Sequence, residues 1–210
     1  MSAVDEFAEH FSAVPLVAII RGVTPDEVEG IGEAILAGGI RIIEVPLNSP
    51  DPLRSIRRLS RCLAGRALVG AGTVLDEGQV GEVSEAGGRL IVSPNTNVAV
   101  IHATAMAGMV SSPGYFTPSE AFAALDAGAH ALKLFPAEGA TPAVLKAHKA
   151  VLPPNVPVLA VGGITPDGVQ PWLAAGAGGF GLGGGLYKPG QSPEETRAKA
   201  AAYVAGLARA

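Results

Sequence analysis

The feature that most constrains this chain is the regular punctuation of its helices. Thr24-Pro25, Thr117-Pro118, Thr141-Pro142, Thr165-Pro166 and Ser192-Pro193 each set a hydroxyl side chain directly before a proline. A hydroxyl at the N-cap accepts a hydrogen bond from a free first-turn N–H, and proline at the first helical position sacrifices no bond there. Glu27, Glu120 and Glu195 stand three residues after their hydroxyls and complete the pattern of a capping box. At the other ends, Ala-Gly pairs at Gly38, Gly87, Gly108, Gly128 and Gly176 mark where glycine takes the left-handed conformation that closes a helix. Successive glycines lie about 20 residues apart, or about twice 24, the length of a strand plus a helix rather than of a solenoid repeat.

Between these marks short β-like runs recur: Leu16 to Ile20, Arg41 to Val45, Ala67 to Gly70, Arg89 to Ser93, a weakly patterned one at Met109 to Ser111, His130 to Leu134, Val156 to Val161, and Gly179 to Leu182. Several are apolar at both parities, as parallel strands buried on two faces are. The intervening stretches carry apolar residues at helical spacing, such as Val28, Ile31, Ile35 and Leu36. About eight βα units predict either a TIM barrel or a doubly wound open sheet. No strand opens onto a G-x-G-x-x-G helix start, and the glycine-rich run Gly181 to Gly185 falls at the end of the last unit, so the (β/α)8 barrel is the expected fold. With 48% hydrophobic and 16% charged residues, there is material for one large core, which predicts a single domain over residues 1–210.

Several function classes fall away. A formal charge of -4 without a basic stripe or interleaved aromatics argues against nucleic acid as the partner. Cys62 is the one cysteine, so no internal disulfide or thiolate metal cluster can form, which fits a reducing cytosol. The N-terminus carries Asp5, Glu6 and Glu9 in place of the basic region of a signal peptide, and no run approaches the roughly 20 apolar residues that span a bilayer. A cytoplasmic protein without membrane association is expected. His10, His102 and His148 lack metal-ligand spacing, and His130 enters a strand with no evident partner.

In a barrel, chemistry gathers where strands end at the C-terminal face. Those positions are Arg21, Glu44, Thr73, Pro94-Asn95, Lys133, Gly162-Gly163 and Gly183-Gly184-Gly185. Lys133 lies within the apolar run Ala131 to Phe135, where burial lowers an amine's pKa and frees it to attack a carbonyl. Glu44 is a second charge inside an apolar strand and suits proton transfer beside that amine. The plainer alternative joins the two in a buried ion pair. Glycines after the last two strands offer bare backbone N–H groups to a phosphate, or else form tight turns. Arg21 and Thr73 suit an anionic group of a substrate; the alternatives are a salt bridge for Arg21 and a helix cap for Thr73.

Six segments together resemble the KDPG/KDPGal aldolases: Ala18 to Gly22, Ile43 to Pro50, Gly70 to Val74, Val92 to Asn95, Ala131 to Pro136 and Val161 to Ile164. The resemblance runs in order along nearly the whole chain. It implies a homotrimeric (β/α)8 class I aldolase, an aldehyde-lyase that needs no metal or cofactor and yields pyruvate and glyceraldehyde 3-phosphate. It further implies that Lys133 forms the imine and Glu44 moves protons, that Arg21, Thr73, Gly162, Gly183 and Gly184 bind ligand, and that Pro94, Phe135 and Gly163 line the site. Asn48-Ser49 and Val161 stand where the gluconate branch carries Arg-Thr and Thr, so 2-dehydro-3-deoxy-6-phosphogalactonate is the implied substrate, with a gluconate-specific or dual-specificity aldolase as the alternative. Gly184-Gly185 departs from the serine and acidic residue common in the family, which keeps a non-catalytic binder of sugar-acid phosphates in view. A sugar-phosphate epimerase on the same barrel is disfavoured by the lack of a His/Asp ligand set.

Overall fold

The computed structural model describes residues 1–208; Arg209 and Ala210, counted in the expected domain, lie outside them. Helix α1 (Ala3–Ala13) comes first and begins in a full capping box between Ser2 and Asp5. Strands and helices then alternate: β1 (Leu16–Ile19), α2 (Val28–Ala37), β2 (Ile42–Pro46), α3 (Pro52–Cys62), β3 (Leu68–Gly72), α4 (Glu77–Glu85), β4 (Leu90–Val92) and α5 (Val98–Met106). The second half holds β5 (Val110–Ser112), β6 (Gly114–Tyr115), α6 (Pro118–Asp126), β7 (Leu132–Leu134), α7 (Pro142–Lys149), β8 (Val158–Val161), α8 (Val169–Ala174), β9 (Gly179–Leu182) and α9 (Pro193–Leu207).

All pairings are parallel, in the order β5-β4-β3-β2-β1-β9-β8-β7-β6. The two ends of this sheet, β5 and β6, are separated in the chain by Pro113 alone. Proline has no N–H for a ladder, so it splits what is one barrel strand into a half paired with β4 and a half paired with β7. The Pro113 carbonyl still accepts from the Lys133 N–H at 2.9 Å. The expected (β/α)8 barrel is therefore the observed fold, and its fifth strand is the broken one.

Two-residue alternation divides the strand side chains between two cores. Val17, Ile19, Ile42, Leu68, Leu90, Val92, Val110, Ala131, Leu159 and Val161 fill the interior together with Phe7 and Phe11 of α1. Those two rings stack 5.0 Å apart, and Gly179 at the start of β9 leaves the space that the Phe11 ring occupies. Helix α1, which the punctuation does not announce, thus meets the barrel interior at the end opposite the strand C-termini. The other parity, including Ala18, Ile43, Val45, Val69 and Ala71, packs against Ile31 and Ile35 of α2, Ile56 and Leu59 of α3 and Val80 and Val83 of α4.

The helix signals hold at Thr117, Thr141 and Ser192, whose side chains accept first-turn N–H bonds; the reciprocal bond that completes the box is formed by Glu120. Thr24 and Thr165 instead open a turn, and their helices begin at Val28 and Val169. At Ala37-Gly38-Gly39 the left-handed residue is Gly39, while Gly38 stays right-handed as the C-cap.

Candidate active site

Alternation decides which polar groups meet. Ile43 and Val45 face the helices, so Glu44 between them faces the interior; Leu132 and Leu134 face outward, so Lys133 faces in. Both are buried, Glu44 at 1% exposure and Lys133 at 6%, and Lys133 is the buried lysine of the described residues. Gly72 of β3 makes room for the Glu44 carboxyl, because a Cβ there would overlap it. Glu44 Oε2 and the Ser112 hydroxyl, which lines the same interior, have no hydrogen-bond partner. Native proteins pair most buried polar atoms, so such a cluster marks a place kept for chemistry.

No ion pair within 4.0 Å joins Lys133 to Glu44, so the plain ion-pair alternative is not the arrangement found. The Lys133 Nζ lies over the Phe135 ring, 4.4 Å from its centroid. Burial pushes the Glu44 carboxyl up to about 7, against the pull of the Lys133 and Arg21 charges. Burial also holds the Lys133 ammonium below its ordinary pKa; the Glu44 charge opposes this and the Arg21 charge adds to it. A carboxylic acid that titrates near neutrality thus shares a largely apolar interior with an amine biased toward its nucleophilic form.

A cavity of about 610 Å³ opens at the C-terminal ends of β1, β7, β8 and β9. Arg21, Lys133, Phe135, Gly162, Gly163, Gly183 and Gly184 line it, which brings together seven of the ten residues singled out from the sequence. Glu44 lies in the adjoining interior, and Lys133 borders both spaces. Gly162 and Gly163 have φ of 116° and 64°, values that a side chain would strain, and around Gly183 and Gly184 no atom stands within 4 Å of where a Cβ would be. Bare backbone therefore faces the cavity from both loops.

Arg21 donates to Asn48 Oδ1 and, at 3.4 Å, to Thr73 Oγ1; no acid pairs with it among the described residues, so the expected salt-bridge alternative is absent. Ser49 Oγ accepts from the Gly22 N–H at 2.9 Å and ties the β2 loop to the β1 loop. Thr73 has φ of 58°, unusual for a β-branched residue, and reaches the site through Arg21; the cap of α4 is Asp76. Pro94 does not line the cavity, because its carbonyl packs against Gly114 at the rim between β4 and β6. His130 does have a partner: its Nδ1 accepts from the Ser111 N–H at 3.2 Å.

Sequence reasoning gave no role to Ser112, Glu138 or Tyr203. Glu138 stands against Gly162 and Gly163, and a Cβ on Gly162 would overlap its carboxylate. Its one signal was an acid two residues past Pro136 on the loop after β7. Among the described residues no three His, Cys, Asp or Glu side chains are grouped to hold a metal ion, and no helix is long and apolar enough to cross a membrane.

Comparison with known proteins agrees with this geometry. A family model for KDPG and KHG aldolases matches residues 7–197. A probable 2-dehydro-3-deoxy-6-phosphogalactonate aldolase of Rhizobium meliloti is 48% identical over 91% of this chain and 90% of its own. The 2-dehydro-3-deoxy-6-phosphogalactonate aldolase of Escherichia coli is 47% identical over 91% of this chain and 93% of its own. A solved structure of native KDPGal superposes with a TM-score of 0.92 at 45% identity, covering 93% of this chain and 95% of the other. The KDPG aldolase of Legionella pneumophila, solved with pyruvate captured as a covalent carbinolamine, superposes at 0.81 with 27% identity over 92% of this chain and 96% of the other. Matches of this extent, on a barrel with this interior, settle the family: the chain belongs to the KDPG and KHG aldolases.

Proposed function

We propose that this protein cleaves 2-dehydro-3-deoxy-6-phosphogalactonate to pyruvate and glyceraldehyde 3-phosphate through an imine on Lys133. The observation that carries the reading is the buried amine of Lys133 at the junction of cavity and interior, with its ammonium form disfavoured and Glu44 titrating near 7 beside it. The neutral amine adds to the C2 carbonyl and forms a carbinolamine. Protonated Glu44 gives its proton to the departing hydroxyl, which leaves as water, and the resulting carboxylate takes the proton of the C4 hydroxyl. The C3–C4 bond then breaks, its electrons pass into the iminium as an enamine, and the aldehyde leaves. Protonation of C3 and hydrolysis of the imine release pyruvate and restore Lys133. A carboxyl pKa of about 7 keeps both forms of Glu44 available at neutral pH.

The bare loops Gly162-Gly163 and Gly183-Gly184 support a place for the phosphate, and Arg21, held by Asn48 and Thr73, supports a fixed cation for an anionic group of the substrate. Phe135 forms an apolar wall beneath the amine, and Pro94 shapes the rim. The protein acts in the cytoplasm as a homotrimer and needs no metal. Asn48-Ser49 and Val161 favour the galactonate configuration at C4, with slower cleavage of the gluconate isomer expected, since one or two contacts separate the two. Borohydride reduction in the presence of pyruvate tests the central step. A stable adduct should map to Lys133, and a Lys133 that stays unlabelled at saturating pyruvate would overturn the reading.

A further inference from the structure

Tyr203 reaches the floor of the cavity from α9, the helix most distant in sequence from the reacting groups. Its side chain is buried, and its hydroxyl donates to the Ile164 carbonyl at 2.8 Å, on the residue directly after Gly162-Gly163. The same oxygen also abuts Gly185, where a Cβ would overlap it. Gly185 does not have the left-handed φ that demands glycine, so it is the tyrosine hydroxyl that excludes a side chain there. Around Gly183 and Gly184, by contrast, the space is open. The loops after β8 and β9 therefore rest on one phenol oxygen.

A phenol has one proton to donate, and here the Ile164 carbonyl takes it. That bond fixes the peptide following Gly163 and with it the direction of the glycine backbone; contact with Gly185 fixes how near the second loop approaches. Backbone N–H groups hold an anion only as well as they converge on it, so the gap between the loops governs the pocket. We propose that Tyr203 is a positioning residue for the phosphate of the substrate, setting the separation of the two glycine loops through its hydroxyl. This rests on the phosphate lying between those loops, as proposed above.

The test uses the full-length protein and the Tyr203→Phe variant, which removes one oxygen and keeps the ring. Steady-state cleavage of the phosphorylated substrate and inhibition by inorganic phosphate are measured, with thermal midpoints alongside. KM and the phosphate inhibition constant should both rise roughly 5- to 10-fold, the range expected for one lost hydrogen bond. The kcat value and the yield of the reduced pyruvate adduct on Lys133 should hold, since neither reads the phosphate. Gly185→Ala should also raise KM by pushing its loop off the hydroxyl, and it carries the test alone if Tyr203→Phe does not fold. In the double variant the methyl enters the vacated space, so KM should fall below that of Gly185→Ala. Unchanged KM and phosphate inhibition in Tyr203→Phe, or simple additivity of the two substitutions, would overturn the role of Tyr203. A wild-type protein that is insensitive to phosphate yet still forms the Lys133 adduct removes the phosphate placement itself, and Tyr203 with it.

Discussion

Glu44 and Lys133 each cost the fold stability at neutral pH, from opposite directions. Below about 4.5 the Glu44 carboxyl is protonated in both the folded and the unfolded chain. As pH rises from 4.5 to about 7 the unfolded chain releases this proton while the folded chain keeps it, so stability falls through that window. The deficit is complete once pH has risen well above 7. Lys133 runs the other way: its folded pKa lies below 10.5, so stability is lost as pH falls from 10.5 toward that lower value. Glu44→Gln should therefore melt higher than the wild type at pH 8 and alike near pH 4, while its turnover drops by on the order of 100-fold or more. Thermal melts at the two pH values and one assay of cleavage check this; intact turnover with lower stability would reduce Glu44 to a structural group. This burden is also why both residues were legible from sequence. A charge inside an apolar strand has few bland explanations, whereas Ser112, Glu138 and Tyr203 are ordinary residue types that gain a position in the site only when distant elements converge.

At the scale of elements, β3 serves β2. Gly72 ends β3 in register with Pro46, and its missing side chain is the space into which the Glu44 carboxyl fits. Gly72→Ala is compatible with the backbone but not with that carboxyl, which must leave its present place. The kcat for cleavage should fall by on the order of 100-fold, as for loss of a general acid-base group, while the barrel still folds. Unchanged kcat in steady-state assays, with a native circular dichroism spectrum, would show that Glu44 needs no such space. Elements were legible where local chemistry decides them. Thr117, Thr141 and Ser192 cap their helices because a side-chain oxygen next to free N–H groups needs nothing from the rest of the fold. Thr24 and Thr165 carry the same signal but open a turn: the Thr24 hydroxyl donates to Glu27 instead of accepting a first-turn N–H, and the Thr165 carbonyl accepts from the Gly168 N–H. The weak run read at Met109 to Ser111 stops short of Pro113, because the continuation beyond the proline, where one strand pairs with different neighbours on its two sides, exists only once the barrel closes. Helix α1 was missed for a related reason, because its apolar residues Phe7 and Phe11 are few and acquire meaning against the interior they close.

Of the eight large apolar side chains exposed on the described residues, Met1, Val4 and Val151 stand apart and the other five fall in one stretch of the barrel. Leu75, Val98, Met106, Phe116 and Phe122 are large apolar side chains with 39% to 75% exposure, and they fall in consecutive βα units from the end of β3 to α6. Consecutive units of a barrel are neighbours, and Asn97 next to Val98 indeed donates to the Leu75 carbonyl at 3.1 Å. Apolar side chains grouped on one side of a soluble domain mark a surface that a partner covers. A homotrimer closed by a threefold axis would cover it on every subunit without leaving an open end. The protein should then elute and scatter light at three times the mass of its chain, and Val98→Asp should lower that mass by placing a charge in the buried interface. Phe116 does not line the cavity but approaches the turn that carries Glu138, its ring lying 3.6 Å from where a Cβ on Gly139 would stand. Phe116→Asp should thus disturb both assembly and cleavage, while Val98→Asp, placed at the start of α5 and outside the cavity lining, separates the two effects. A wild-type monomer at micromolar concentration would remove this account of the sector. If Val98→Asp breaks the trimer and kcat is unchanged, the site is complete within one chain and assembly serves to hide the apolar side chains.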